Sequence, residues 1–186
     1  MTLRIIAGDL KGRKLRSVHG TKTRPTANRT REAIFNILAS QTPDSRVLDL
    51  FAGTGAFGIE ALSRKAETAV FIDIDNDALS VLQANIESLS LERQTQIIRW
   101  DLIKNLKCLN PLDIAFDLVF MDPPYRKNMI EPTLRNLHIS QSLVSGTRVI
   151  IEHSQREPVV AGKLPYEIAD QRKYGKTLVT FLDYVV

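Results

Sequence analysis

The stretch VLDLFAGTGAFGIE (residues 47–60) decides the fold. An apolar run leads into Gly53, Gly55 and Gly58, and a second apolar run with helical spacing follows. The order is strand, tight turn, helix. Glycines allow the sharp turn and let a ligand approach the backbone. The literal G-x-G-x-x-G spacing suits a pyrophosphate held at a helix N-terminus, or a turn with no ligand at all.

Outward from that turn the alternation repeats. Residues 46–51, 68–74, 95–100, 116–121 and 147–153 read as apolar strands. Helical patterns fill 56–64, 76–89 and a segment near 128–137, with a short helical stretch after residue 100. Such alternation predicts an α/β fold with a mostly parallel sheet covered on both faces. Residues 166–171 and 176–185 bring the strands to seven. With no helix between them, they are expected to form an antiparallel hairpin at an edge. Upstream, residues 3–8 and 12–18 read as two short strands joined by a turn at 9–12. Pro25 pushes Arg24 to extended geometry. Ala33, Ile34, Ile37 and Leu38 predict a helix over 28–39, capped by Thr26 or Asn28. The expected division is a small basic extension, residues 1–27, ahead of a catalytic-sized body, residues 28–186.

The 186 residues are 44% hydrophobic and 25% charged, the balance of an ordinary globular protein with one sizeable core. A lone cysteine, Cys108, excludes an internal disulfide, and His19, His138 and His153 are too scattered for a metal cluster. The first residues carry charges where a signal peptide needs an apolar core, and no run is long enough to span a membrane. A cytoplasmic, metal-free protein is expected. Its charge is uneven. Residues 1–31 hold nine cations (Arg4, Lys11, Arg13, Lys14, Arg16, Lys22, Arg24, Arg29, Arg31) and one acid, Asp9, whereas the remaining residues are net acidic. A basic arm on an acidic body points to a polyanionic partner, the alternative being a solvated edge.

Three acids refine the glycine turn. Asp49 falls near the end of the first strand, where a carboxylate would repel a pyrophosphate but suit a cation. S-adenosylmethionine, with an ammonium, a sulfonium and no phosphate, fits that charge. Asp73 follows at the end of the second strand, where a carboxylate can accept from a ribose diol. Asp75 is a nearby substitute, and Asp77 is expected to start the next helix. Asp101 ends the third strand and could accept from the amine of an adenine. Each acid alone also suits a helix cap; three at successive strand ends favour a ligand.

Asp122-Pro123-Pro124-Tyr125 closes the fourth strand. Two prolines fix φ and remove N–H groups, leaving the Asp122 side chain and the Pro123 carbonyl as a rigid acceptor pair. Two acceptors on an exocyclic nucleobase amine stabilise the positive charge that forms as the nitrogen gains a fourth bond. Tyr125 offers a ring on which a base swung out of its stack can rest. A proline turn with Tyr125 packed on the core is the plainer reading.

VLDLFAGTGAFGIE together with VFMDPPY resembles the class I S-adenosylmethionine-dependent methyltransferases that act on amino groups. The blocks LRIIAGDLKGRKL, TRPTANRTREAIFNIL, IIEHSQREP and YGKT narrow the resemblance to the bacterial small-subunit (16S) ribosomal RNA guanine-N2 methyltransferases, the RsmD group. It runs over about residues 3–182. The resemblance implies a Rossmann-like methyltransferase fold and a cofactor site on Asp49, Phe51, Gly53, Gly55, Asp73 and Asp101. It places amine activation on Asp122, Pro123, Pro124 and Tyr125, the last being more often Phe in that family. Gly58 is read as helix–strand packing and His153 as a buried, satisfied histidine. RNA contacts are expected at Arg4, Lys11, Arg13, Lys14, Arg24, Arg29, Arg31, Arg126 and Lys127, with a monomer acting on small-subunit RNA, free or assembled.

Competing readings remain. DNA adenine-N6 methylation uses the same turn, but the chain has little length outside the body for a target-recognition domain. Protein glutamine methylation uses a related turn beginning with Asn, which Asp122 and the basic arm oppose. A dehydrogenase is opposed by Asp49, and a non-catalytic RNA-binding module by the intact glycine and DPPY turns.

Overall fold

The computed structural model describes residues 3–18, 25–159, 162 and 164–186. One sheet contains β1 (Arg46–Leu50), β2 (Thr68–Asp73), β3 (Thr95–Arg99), β4 (Phe116–Met121), β5 (Leu143–Ser154), β6 (Tyr166–Tyr174) and β7 (Thr177–Tyr184). Its order is β3-β2-β1-β4-β5-β7-β6. β1 pairs in parallel with β2 and β4, β2 with β3, and β4 with β5. β7 runs antiparallel to both its neighbours. The expected Rossmann-like sheet is therefore present, and the closing hairpin is the expected one. Its second strand, β7, inserts against β5 and leaves β6 at the edge. The chain order reverses between β1 and β4, which opens a crevice at the C-terminal ends of the strands.

The helices are α1 (Pro25–Ile37), α2 (Ala56–Ser63), α3 (Asn76–Leu89) and α4 (Ile130–Ile139). Strands buried on both faces feed two cores by simple alternation. Val47, Phe71, Phe120, Ile150 and Phe181 pack with Phe35, Ile59 and Leu82 of α1, α2 and α3. Leu48, Ile72, Met121, Ile151 and Leu182 pack with Leu134 and Leu137 of α4 on the other face. Asp49, one residue on from Leu48, consequently turns toward α2.

Two expectations change. α1 begins at Pro25, where a fixed φ and a missing N–H suit the first helical position. Thr26 and Asn28 therefore lie inside the helix, and the boundary expected between 27 and 28 falls within it. The two strands expected at 3–8 and 12–18 reduce to a single antiparallel bridge, Arg4 with Lys14, flanked by Ile5 N to Arg13 O (3.0 Å) and Leu15 N to Leu3 O (2.9 Å). The reason is that the next backbone donors go to α2. The Glu60 carboxylate accepts from Ile6 N (2.8 Å) and Ala7 N (3.0 Å), and the Ser63 carbonyl from Asp9 N (2.8 Å). A Cβ on Gly8 would sit 1.7 Å from that carbonyl oxygen, so only glycine permits the approach. Leu3, Ile5 and Leu15 join the same core as α1 and α2. Residues 3–15 are thus docked on the body.

Candidate active site

The glycine turn leaves β1 through Phe51, Gly53 and Gly55, all at positive φ (58°, 55° and 77°). Phe51 adopts a conformation that costs a side chain on the order of 1–3 kcal/mol, the kind of strain that collects at ligand sites. Behind the turn, a Cβ on Gly55 would lie 2.3 Å from Leu82 Cδ1, so α3 packs directly against it. A Cβ on Gly58 would lie 2.4 Å from Phe71 Cε1, the helix–strand packing role expected of that glycine.

Three side chains hold this backbone. Asp73 Oδ2 accepts from Gly53 N at 2.8 Å, while Oδ1 accepts from Ile74 N (2.7 Å) and Asp75 N (3.0 Å). Carboxylate oxygens carry more than one acceptor site each, so Asp73 keeps capacity for a ribose. Asn85, fully buried on α3, donates to Thr54 O at 3.0 Å. Asp49 Oδ2 accepts from Gly58 N at 2.9 Å. Asp49 is only 2% exposed, so it supports the turn from beneath and does not stand at its mouth. Burial pushes its carboxyl up to about 8, Asp73 adding to the shift and the Gly58 N–H opposing it.

The other acids divide. Asp75 caps α3, accepting from Asp77 N (2.8 Å) and Ala78 N (3.0 Å); Asp77, expected to start that helix, sits in its first turn. Asp101 makes a turn with Ile103 N (3.1 Å) and an exposed ion pair with Lys104 (3.6 Å). It also lines a cleft of about 280 Å³ with Ile74, Arg99, Trp100, Lys104 and Asn105. Ile74, 55% exposed, is an apolar wall beside that cleft. An apolar slot with a carboxylate on its rim is suited to a flat heterocycle bearing an amine.

Across the crevice, Asp122 follows β4 directly and is exposed, and Pro123 is buried beside it. The plainer reading of Tyr125 gives way to a specific one. Its half-buried hydroxyl donates to Glu152 Oε1 at 3.3 Å and meets Thr177 Oγ1 at 3.1 Å, which ties the ring to β5 and β7. Burial raises the Tyr125 pKa, with Glu152 and Asp122 pushing the same way. His153 is 1% exposed, with Nε2 on Thr180 Oγ1 (2.8 Å) and Nδ1 on the Glu157 carbonyl (3.0 Å), a satisfied core histidine.

The basic residues separate by burial. Arg4, Lys11, Arg13, Lys14, Arg29, Arg126 and Lys127 are exposed. Arg4 donates to Gly12 O (2.9 Å), and Arg13 to Ser88 O (2.8 Å) at the end of α3. Arg24 lies outside the described residues. Arg31 is a correction: it is 3% exposed, donates to the Arg4 carbonyl, and pairs with the buried Glu60 at 3.7 Å. Burial holds its pKa below the usual value, with Glu60 acting in the opposite direction. An ion so enclosed fastens the arm and is not presented to a partner.

Glu60 and Asn85 escaped the sequence reading. Each is a polar residue on an otherwise apolar helix stripe, Glu60 beside Ile59 and Ala61, and Asn85 between Leu82 and Ile86. That pattern is itself a sign of a specific buried partner.

The sequence profile of the family described as "Conserved hypothetical protein 95" matches residues 3–183. The chain belongs to this family. Relatives of the chain include the ribosomal RNA small subunit methyltransferase D of Escherichia coli strain K12, 30% identical over 94% of this chain and 93% of that one. The Haemophilus influenzae protein of the same name is 34% identical over 85% of this chain and 82% of its own. The solved structure of yhhF from Escherichia coli matches with TM-score 0.85 at 26% identity, over 100% of this chain and 99% of that one. The resemblance drawn from the N-terminal and DPPY blocks is borne out at the level of family and fold.

Proposed function

We propose that the chain transfers a methyl group from S-adenosylmethionine to the exocyclic N2 amine of a guanine in small-subunit ribosomal RNA. The observation that carries this reading is the pairing of two rigid elements across one crevice: a glycine turn pinned by Asp73 and Asn85, and the DPPY turn tied down through Tyr125. The names of the family relatives supply the class of acceptor.

The residues fit the cofactor. The turn contains no cation to meet a phosphate, Asp73 is free to accept from a ribose by its remaining lone pairs, and the cleft at Ile74, Trp100 and Asp101 suits an adenine. S-adenosylmethionine supplies a methyl on a sulfonium, whose S–C bond breaks with the electron pair left on sulfur as the guanine nitrogen bonds to carbon. Catalysis by the chain is then orientation plus acceptors aimed at developing charge. Asp122 and the Pro123 carbonyl accept the two N–H groups of the amine, and Tyr125 stacks on the base. The proton released from N2 leaves through Asp122 to water. The exposed cations of the arm, with Arg126 and Lys127, hold ribose-phosphate.

The test is incubation with methyl-labelled S-adenosylmethionine and unmodified small subunits, naked ribosomal RNA or DNA, followed by digestion and mass spectrometry of the nucleosides. N2-methylguanosine is the expected product. N6-methyladenine in DNA would keep the transfer chemistry and overturn the acceptor. Asp122→Ala should lower transfer by about 100-fold or more while cofactor affinity stays within a few-fold.

A further inference from the structure

The register between β4 and β5 pairs Met121 with Ile151, so the next residues, Asp122 and Glu152, stand level at the C-terminal edge. Met121 and Ile151 face the α4 core, while Phe120 and Ile150 face the α1–α2 core. Alternation therefore turns Asp122 and Glu152 together toward the face that carries the glycine turn. Tyr125 lies with both. Its hydroxyl is 3.3 Å from Glu152 Oε1, and both carboxylates push its pKa up. A base stacked on Tyr125 would thus have two carboxylates along one edge. The mechanism above uses only one of them.

We infer that Glu152 selects the base, by accepting the ring N1–H that guanine presents beside its N2 amine. Among the amine-bearing bases this edge is distinctive. Guanine offers a ring donor next to the amine, whereas adenine and cytosine offer a ring lone pair next to theirs. A carboxylate at that position welcomes the first and repels the other two. The Tyr125 hydroxyl, itself set against Thr177 Oγ1, donates to Glu152 and holds it in place, and a carboxylate oxygen accepts more than one hydrogen bond. Tyr125 in place of the more usual ring without a hydroxyl is then part of the selection device, since its hydroxyl orients the selecting carboxylate.

This inference rests on the methyl-transfer reading above, and its test separates the two. The wild-type protein is first shown to make N2-methylguanosine and the modified nucleotide is mapped; any other product removes the underlying reading and this inference with it, before an analogue is used. An RNA carrying 2-aminopurine at the mapped nucleotide is then compared with the guanine RNA. That analogue keeps the N2 amine but has a lone pair at N1. The wild type should prefer guanine by at least about 100-fold in kcat/KM, because a site built to accept an N–H rejects a partner lacking it. In Glu152→Gln the amide can accept from guanine N1–H or donate to the 2-aminopurine lone pair, so the preference should fall below about tenfold. Cofactor affinity within about twofold of wild type reports that the variant is folded. Wild-type use of 2-aminopurine within about threefold of guanine would overturn the inference without any variant. So would a Glu152→Gln preference within about threefold of the wild-type value.

Discussion

Asp49 carries a carboxyl, 2% exposed beneath the glycine turn, whose pKa rises to about 8 because water is excluded from it. The consequence for stability has a definite sign. Between the usual carboxylate range and about 8, the folded protein binds a proton that the unfolded chain has lost. That contribution is complete below about pH 4 and fades as pH climbs through 8. Asp49→Asn keeps a carbonyl oxygen for the Gly58 N–H and has nothing to titrate. Urea unfolding at pH 5.5 and 8.5 should show the wild type losing at least about 1 kcal/mol more than the variant over that interval. Parallel losses in the two proteins would mean that other groups set the pH dependence. The glycines were legible because their spacing alone requires the turn. The state of Asp49 was not, since it depends on how closely α2 and Phe71 close over it.

Among the elements, β1 to β4, β7, α2 and α3 were readable to within a residue or two because both faces of β1, β2 and β4 are buried, which leaves unbroken apolar runs. β5 instead starts four residues before the expected 147 and β6 runs three past the expected 171, where most residues are exposed and break the apolar pattern. The N-terminal segment was not readable, because its partners are remote. Ile6 and Ala7 bond to Glu60, more than fifty residues away, and no local periodicity announces such a pairing. Glu60 gathers Ile6 N, Ala7 N, Arg64 Nε at 2.8 Å and the Arg31 guanidinium at 3.7 Å, all within a nearly dry pocket. Removing one partner from a buried ion pair costs about 3–5 kcal/mol when the other charge is stranded. Here Arg64 and two backbone donors remain on Glu60, which places the cost at the low end of that range. Arg31→Ala should accordingly lower unfolding stability by about 3 kcal/mol, while Arg29→Ala, exposed on the same helix, stays within about 0.5 kcal/mol. Urea denaturation of both variants decides it; equal effects would mean that the Arg31–Glu60 pair does not anchor the arm.

Over the whole molecule the arm and the glycine turn meet on α3. Asn85 accepts from Arg16 N at 2.7 Å, donates to Arg16 O at 3.2 Å, and reaches Thr54 O at 3.0 Å. The backbone that carries the basic residues is therefore clamped to the backbone of the glycine turn by one buried amide. Electrostatics and framework are nonetheless separable, because the charges themselves point outward. Lys11, Arg13 and Lys14 are exposed, and what Arg13 holds is the Ser88 carbonyl, not the Asn85 amide that bonds Thr54. Replacing these three by Ala removes counterion-releasing contacts without touching the clamp. Each phosphate contact contributes roughly 0.7–0.9 to the slope of log affinity against log salt. The triple variant should therefore bind small-subunit RNA with a slope shallower by about 2, while its affinity for S-adenosylmethionine stays within about twofold. An unchanged slope would mean that the arm's charge is a solvated edge and that the RNA is held elsewhere. A matching loss of cofactor affinity would mean that arm and turn form one unit in binding as well as in structure.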